Sequence, residues 1–486
     1  MPAKYKPARY RATPVLNGFG RHVVSRFSYG TTPELVAAVE AAGGPLPWFE
    51  QQLATAYDGE RDAEAVDWWP DLHLSPQQIW QNQVEEKRGS WEVMWDYSRR
   101  LLARRITSSK QVLEVMTEFW ESHLHVTANG DAQAMWRVPY GDVIRKHALG
   151  RFDEMLVEAV THPAMLLYLD GASSTKSSPN ENLGREVLEL HTVGFGSYSE
   201  PDVKNAMRAL TGYRVDMWRT WEFSYRNADH WTGPITVGSF SHPNSDADGR
   251  EVVRQMLVHL AHRPETARRI ARKLAVKFIG DDASDDAVAE LATVYLKNGT
   301  AIVPVLQRLV RMPEFRRSKR TKLRGASEDV VATYRALGAQ LHAPSGDEDA
   351  ANAVIWQARK IGLMPMGWPR PDGAPLDNES WAGPARALAS MDVHWSLAGG
   401  WWPSTGIEYR AKADWAPELP IAFDELVDHM ARVAHGRPSD SVLLKACCQA
   451  VDTGRDETIT GDHKALRWLF PRLLVTVLDH PNHYVR

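Results

Sequence analysis

The sequence has little of what marks an exported, membrane-bound or nucleic-acid-binding protein. Its 486 residues include two cysteines, Cys447 and Cys448, whose adjacency disfavours disulfide geometry and fits a reducing compartment. No stretch approaches the ~18 apolar residues of a membrane span, and the basic start at residues 1–11 lacks the apolar core of a secretory signal. Acidic side chains number 61 against 57 basic ones, so the chain has no global positive field. We therefore expect a cytoplasmic protein without a nucleic-acid or membrane partner.

Common catalytic motifs are also missing. The chain has no phosphate-binding Walker loop, no G-x-S-x-G nucleophile elbow and no H-E-x-x-H helix. The sequence therefore gives little support to nucleotide hydrolysis, serine hydrolysis or zincin-type proteolysis.

Helical spacing of apolar residues dominates wherever the sequence is regular. The exception is the segment 213–240, rich in Trp, Tyr and Thr, which is typical of at most a short hairpin. We therefore predict an all-α fold. Its loops suggest an N-terminal helical region, a helical core that carries the site, a third helical region and a C-terminal helical region. The predicted limits are residues 1–100, 101–250, 251–340 and 341–486.

The most informative segment, residues 180–192, carries three carboxylates, an arginine, two amides and an imidazole. At about 100° per residue its polar side chains share one arc, and His191 falls on the opposite, apolar side. We expect the arc to face protein. Its main members are Asn182, Arg185, Glu186 and Glu189.

A second segment, residues 111–125, has an apolar stripe at helical spacing that His123 continues. His123 is therefore predicted to be buried, whereas His125 belongs to the polar side. A buried imidazole needs a partner for each ring nitrogen, and a carboxylate or a metal can serve as one. We expect His123 to approach the segment 180–192.

These residues suggest a metal-dependent enzyme, either an oxidoreductase or a hydrolase. Facing helices build metal sites from carboxylates and imidazoles, and such donors suit the divalent ions of Fe, Mn or Zn. His191 can join only if its helix unwinds before Gly194. The predicted metal ligands are His123, Glu186, Glu189 and His191. The predicted catalytic or orienting residues are Asn182, Arg145 and Arg185.

Two alternatives remain open. Residues 191–194 resemble, over four positions, the proximal histidine segment of plant-type peroxidases, so a haem-binding oxidoreductase with His123 on the distal side is one. The other is a non-catalytic binding or scaffold protein with a buried ion-pair network, because Arg105, Arg145 and Arg185 are enough cations to neutralise the glutamates. In the enzyme hypotheses the substrate is a small molecule or a peptide. Neither its identity nor the oligomeric state follows from the residues.

The nineteen tryptophans are many for a chain of this length. Most are expected to fill the core and internal interfaces. Those in irregular segments, such as Trp368 and Trp381, can line an aromatic cleft for an organic ligand.

Several motifs occur in an order and spacing that resemble a known family. They are residues 119–123, 144–152, 162–170 and 180–194, with further matches at 22–33, 264–274, 313–315 and 367–381. Together they look like the bacterial family catalogued as domain of unknown function 1800, over nearly the whole chain. The resemblance implies a helical fold and no particular reaction.

The chain departs from that family at one place. Relatives usually carry an Asp directly after the histidine that corresponds to His230, and a Lys where Ile235 stands. Both polar groups are missing here. If they serve a shared chemistry, this member lacks it or acts on a different substrate.

Overall fold

A computed structural model describes residues 13–58 and 68–486 of the chain. The basic start at residues 1–11 lies outside the described residues. Within them the fold is mostly helical, which confirms the predicted fold class. None of the described helices combines the length and apolar character that crossing a bilayer requires. The cytoplasmic location stays a prediction.

The helices before residue 210 contain most of the site predicted from the sequence. They are α1 (Gly18–Phe27), α2 (Pro33–Ala41), α3 (Pro45–Ala54), α4 (Pro76–Val84), α5 (Ser90–Thr107), α6 (Gln111–His123), α7 (Asp131–His147), α8 (Phe152–Val160), α9 (Pro163–Tyr168), α10 (Glu181–Glu186) and α11 (Glu200–Ala209).

The helices after residue 249 form the remainder of the body. They are α12 (Arg250–Ala261), α13 (Pro264–Phe278), α14 (Asp285–Lys297), α15 (Ile302–Arg311), α16 (Pro313–Arg317), α17 (Ala326–Ala336), α18 (Ala350–Ile361), α19 (Pro384–Ala398), α20 (Lys412–Trp415), α21 (Phe423–His435), α22 (Ser441–Val451), α23 (Phe470–Leu478) and α24 (Pro481–Tyr484).

The strands are short, and in the described residues they form four antiparallel pairs. The pairs are β1 (Tyr213–Val215) with β2 (Phe223–Tyr225), β3 (Ile235–Val237) with β4 (Phe240–His242), β5 (Gln340–Leu341) with β6 (Ile407–Glu408), and β7 (Ile421–Ala422) with β8 (Thr458–Ile459). The expectation of at most one short hairpin near 213–240 is therefore corrected. Strands of two or three residues are too short to show the alternation that identifies a strand in a sequence.

Buried apolar side chains form one contiguous core, which extends from Leu16, just before α1, to Leu478 in α23. The limit predicted after residue 100 falls inside α5, which continues without a break to Thr107. The division into four regions stays a prediction.

Helix α17 packs against α5, α18, α19, α21 and α24, so it is surrounded by protein. It begins after Gly325, whose N–H donates a hydrogen bond of 3.0 Å to the carboxylate of Glu328. Glu328 and Asp329 place negative charge in the first turn, where the helix dipole favours it. Because the helix is buried, both carboxylates need partners inside the protein.

Candidate functional site

The polar helix predicted from the sequence changes its geometry part-way along. Helix α10 begins at Glu181, and the side chain of Asn180 accepts a hydrogen bond of 2.8 Å from the N–H of Asn182. After Glu186 the chain continues as a π-helix, Val187–His191. A π-helix has i to i+5 hydrogen bonds and a smaller rotation per residue than an α-helix. The arc drawn with α-helical spacing therefore holds only as far as Glu186.

The polar arc lies at the surface, which corrects the expectation that it faces protein. Asn182 is exposed, and Arg185 is partly exposed and pairs with Glu181 and Glu200. The inward side of the helix is apolar, because Leu183 is buried there.

Glu186 and Glu189 lie at the edge of this surface, where both are partly exposed. Burial, and then the charge of Glu189, raise the pKa of Glu186. Glu189 accepts a hydrogen bond from the hydroxyl of Tyr198. The two carboxylates are thus neighbours, as expected, but they lie at the protein surface.

His123 is buried and approaches the segment 180–192, which confirms both expectations. Its Nε2 atom lies 3.1 Å from the carbonyl oxygen of His191, and Nδ1 of His191 lies 3.0 Å from the carbonyl oxygen of His123. The two rings therefore tie α6 to the π-helix through reciprocal hydrogen bonds.

Lys273 of α13 also contacts the ring of His123. Its Nζ atom lies 3.0 Å from Nδ1 of His123, and it has no ion pair within the described ranges. Burial, and then the charge of Arg269, lower the pKa of Lys273 to about 7. Burial, and then the charge of Lys273, hold the pKa of His123 well below its usual value. The sequence did not indicate this lysine as a site residue.

Two further residues of interest are held by other contacts. Arg145 donates a hydrogen bond of 2.7 Å to Glu114, which ties α7 to α6. His230 is buried, with Nδ1 at 3.1 Å from the carbonyl oxygen of Thr211 and Nε2 at 3.0 Å from Oδ1 of Asn244. These contacts place both side chains in the packing, and the catalytic or orienting roles predicted for Asn182, Arg145 and Arg185 stay predictions.

A cavity lies between α6, α13, the start of α17 and the irregular segment 363–381. A second cavity lies beside it and shares Trp368 with the first. His123 and Lys273 line the second cavity, and Trp381 lines the first. The motif around His123 and two tryptophans of an irregular segment thus border the same pair of cavities.

The chain between the two cavities is pressed against α6. Gly373 has φ +78°, and a Cβ added to it would lie 1.8 Å from the carbonyl oxygen of Ser122. The hydroxyl of Ser122 donates a hydrogen bond of 3.2 Å to the carbonyl of Ala374, and Nε2 of His125 lies 2.8 Å from the carbonyl oxygen of Trp368. Only glycine fits this close approach, so the segment 363–381 packs directly against α6 at this position.

A group with metal-binding potential lies elsewhere. Across residues 13–58 and 68–486, one set of three or more His, Cys, Asp or Glu side chains has its ligand atoms within 4.8 Å of one another, and it consists of Asp329, His394 and His483. All three are buried, and they come from α17, α19 and α24. The ligands predicted from the sequence do not form such a set: His123, Glu186, Glu189 and His191.

One oxygen of Asp329 faces both imidazoles. Nε2 of His394 and Nε2 of His483 each lie 3.4 Å from Oδ1 of Asp329. The other oxygen, Oδ2, accepts hydrogen bonds from the hydroxyl of Ser390 at 2.6 Å and from the guanidinium of Arg386 at 2.9 Å. Oδ1 is therefore left to the two histidines.

The two histidines differ in their electrostatic surroundings. Burial lowers the pKa of His394, but Asp329 and Asp479, the latter 2.8 Å from Nδ1, outweigh it and raise that pKa to about 9. Burial lowers the pKa of His483 to about 4, against the hydrogen bond to Asp329. Burial opposes the charge of Asp329, yet the histidines and Arg386 hold its pKa well below its usual value. The two histidine pKa values are thus shifted in opposite directions, which favours a proton on His394 over one on His483.

Sequence reasoning missed this group because its members lie 65 residues or more apart and no local spacing joins them. One of its members could have been found by the pattern that predicted the burial of His123, an apolar stripe at helical spacing. His394 lies with Val393 and Leu397 in the buried stripe of α19 at helical spacing.

Residues 22–485 match the sequence profile of the family described as protein of unknown function, DUF1800. The chain belongs to this family. No curated protein and no solved structure matches the chain. The DUF1800 region includes the buried group of Asp329, His394 and His483 as well as His123, so both belong to the family domain.

Proposed function

We propose that this DUF1800 protein is a metal-dependent enzyme whose Fe, Mn or Zn ion is bound by Asp329, His394 and His483. The proposal depends on the distance of 3.4 Å between Oδ1 of Asp329 and Nε2 of each histidine. A good N–H···O hydrogen bond is shorter, about 2.9 Å. The edge of a tetrahedron with metal–ligand bonds of about 2.1 Å is about 3.4 Å. The carboxylate therefore has the spacing from both rings that a shared ion requires.

Surrounding hydrogen bonds orient these donors. Asp479 lies at Nδ1 of His394, and a carboxylate at that nitrogen typically fixes the ring so that Nε2 binds the metal. Ser390 and Arg386 hold Oδ2 of Asp329, which leaves Oδ1 for an ion. These contacts orient Asp329 and His394 before a metal binds. Nε2 of His483 lies 2.9 Å from the hydroxyl of Thr333, a contact that a bound ion would replace.

Two histidines and one carboxylate form a donor set found with zinc and with non-haem iron. Three protein donors leave positions for water or substrate, so a bound ion supplies Lewis acidity or, with iron, redox chemistry. We therefore propose either a hydrolase or an oxidoreductase, and the identity of the metal distinguishes the two. We also propose that the substrate is a small molecule or a peptide.

The same contacts favour a second candidate, a non-catalytic protein with a buried ion-pair network. A proton on Nε2 of His394 satisfies Asp329 without a metal, and the raised pKa of His394, about 9, favours that proton. Arg386 adds a second cation beside the carboxylate. Because a proton and a metal compete for the same nitrogen, metal content distinguishes the two candidates.

The haem alternative stays a prediction. Both ring nitrogens of His123, the predicted distal residue, have partners. Nδ1 of His191, the predicted proximal ligand, lies 3.0 Å from a carbonyl oxygen, and its Nε2 has no hydrogen-bond partner among the described residues. The metal set predicted from the sequence stays a prediction. The experiment below tests it together with the proposal.

Elemental analysis of protein loaded separately with Zn²⁺, Mn²⁺ or Fe²⁺ and then desalted tests the proposal. Wild-type protein should retain about one ion per chain for at least one metal, and His394→Gln and His483→Gln should retain almost none. Asp479→Asn keeps all three donors and should weaken metal affinity by about 10- to 100-fold. His123→Gln is the matched control, since it also removes a buried imidazole, and it should bind the ion normally.

Two results would contradict the proposal. Metal lost in His123→Gln but kept in His394→Gln and His483→Gln would favour the set predicted from the sequence. A wild-type protein that takes up no ion, and whose melting temperature does not change in chelator, would favour the ion-pair network.

A further inference from the structure

A small cavity lies between α1, α17, the end of α21 and α24, and His483 forms part of its wall. Its charged lining is of one sign, because the ionisable side chains other than histidine are Arg21, Arg324 and Arg437. A cavity with this lining attracts an anion.

None of these arginines forms an ion pair within residues 13–58 and 68–486. Their hydrogen bonds go to uncharged acceptors, two backbone carbonyls and one amide oxygen. The carboxylates nearest to Arg324 are already engaged, Glu328 with Lys277 and Asp329 with Arg386. Positive charge is thus in excess around the cavity, and such charge is costly in a buried place unless an anion offsets it.

Several polar atoms at the cavity also lack partners. Both ring nitrogens of His435, Nη1 of Arg324 and Nε of Arg437 are buried and have no hydrogen-bond partner. His435 itself is 8% exposed. Buried polar groups in native proteins are nearly always hydrogen-bonded, and these atoms are available to a polar ligand in the cavity.

We propose that this cavity binds an oxyanion of the phosphate type, either free phosphate or the phosphoryl group of a larger compound, through Arg324, Arg437 and His435. The planar guanidinium fork matches phosphate oxygens in geometry as well as in charge. Arg21 and Arg437 are partly exposed and mark the side from which the anion enters. The site needs no metal, but His483 borders both sites, so a phosphoryl compound bound here lies beside the proposed metal centre.

Calorimetric titration of chelator-treated protein with inorganic phosphate tests this site without interference from metal. Phosphate should bind and should raise the melting temperature with increasing concentration. Chloride at the same ionic strength should do neither. Arg437→Gln should weaken phosphate binding at least tenfold, and its partly exposed position favours an intact fold. Arg467→Gln is the matched control, because it removes the same charge from an exposed pair with Asp462 and should bind as wild type.

Phosphoethanolamine as a second titrant separates the two sources of the anion. Binding at least as tight as that of phosphate assigns the cavity to a phosphoryl group of a larger ligand, and much weaker binding assigns it to the free ion. An equal response to chloride and phosphate, or equal affinities of Arg437→Gln and Arg467→Gln, would overturn the proposal. His394→Gln should still bind phosphate, so the anion proposal can be correct even if the metal proposal is wrong.

Discussion

Two lysines one helical turn apart on α13 show how local contacts set the effect of a buried charge. Lys277 pairs with Glu328 at 2.6 Å. Lys273 contacts His123 and has no ion pair in the described part of the chain, and its pKa is lowered to about 7. The charged form of Lys273 therefore opposes folding, whereas the ammonium group of Lys277 has a carboxylate partner.

Lys273→Met should increase the free energy of unfolding by roughly 1 to 4 kcal/mol near neutral pH, because it removes a buried charge without an acidic partner. The unfolded state binds more protons between the folded pKa of about 7 and the usual lysine value of 10.5. In that window wild-type stability rises with pH relative to the variant. The gain from Lys273→Met should thus be full below pH about 7 and vanish above about 10.5. Urea unfolding at several pH values measures it.

Lys277→Met is the control for this prediction. It deprives Glu328 of one cation and should destabilise the protein at neutral pH. Equal destabilisation by Lys273→Met and Lys277→Met would show that the amine of Lys273 is compensated in the folded state.

At the scale of elements, the segment around Gly373 depends on its contact with α6. Gly373→Ala should destabilise the protein by about 1 to 3 kcal/mol, because the new methyl group meets the carbonyl of Ser122 at a backbone conformation that favours glycine. Thermal unfolding measures the loss, and faster hydrogen exchange in residues 363–381 should accompany it. Gly346→Ala is the control, since its added Cβ meets open space. A loss in Gly346→Ala as large as in Gly373→Ala would argue against the close contact as the cause.

The sequence predicts a structural feature when the residues that determine it are close together in the chain. Helical spacing located α6 and predicted the burial of His123, because one face of a helix is readable from its own residues. The helical spacing failed to predict the geometry after Glu186, because a π-helix has a different period. It also failed to predict that the polar arc lies at the surface. Asp329 and His394 were missed because they meet only when α17 packs against α19.

At the scale of the whole molecule, Arg486 joins distant parts of the single core. Its guanidinium pairs with Glu328 and donates hydrogen bonds to the carbonyls of Arg26 at 2.6 Å and Ser25 at 3.1 Å. Arg486→Met should cost about 3 kcal/mol of stability, because buried acceptors and a carboxylate lose their donor. Urea unfolding should show this loss as a shift of one cooperative transition. Arg467→Met breaks an exposed pair and should change stability by less than about 1 kcal/mol.

The link between Arg486 and α1 also sets the order of events during synthesis. The last carbonyls of a helix have no partners within it, and for α1 one of them is satisfied by a residue 460 positions further along the chain. At about 5 to 20 residues per second, that residue is added on the order of 20 to 90 seconds after α1. The end of α1 therefore lacks this partner while the rest of the described chain is being synthesised, and its carbonyl has to be satisfied by water during that interval.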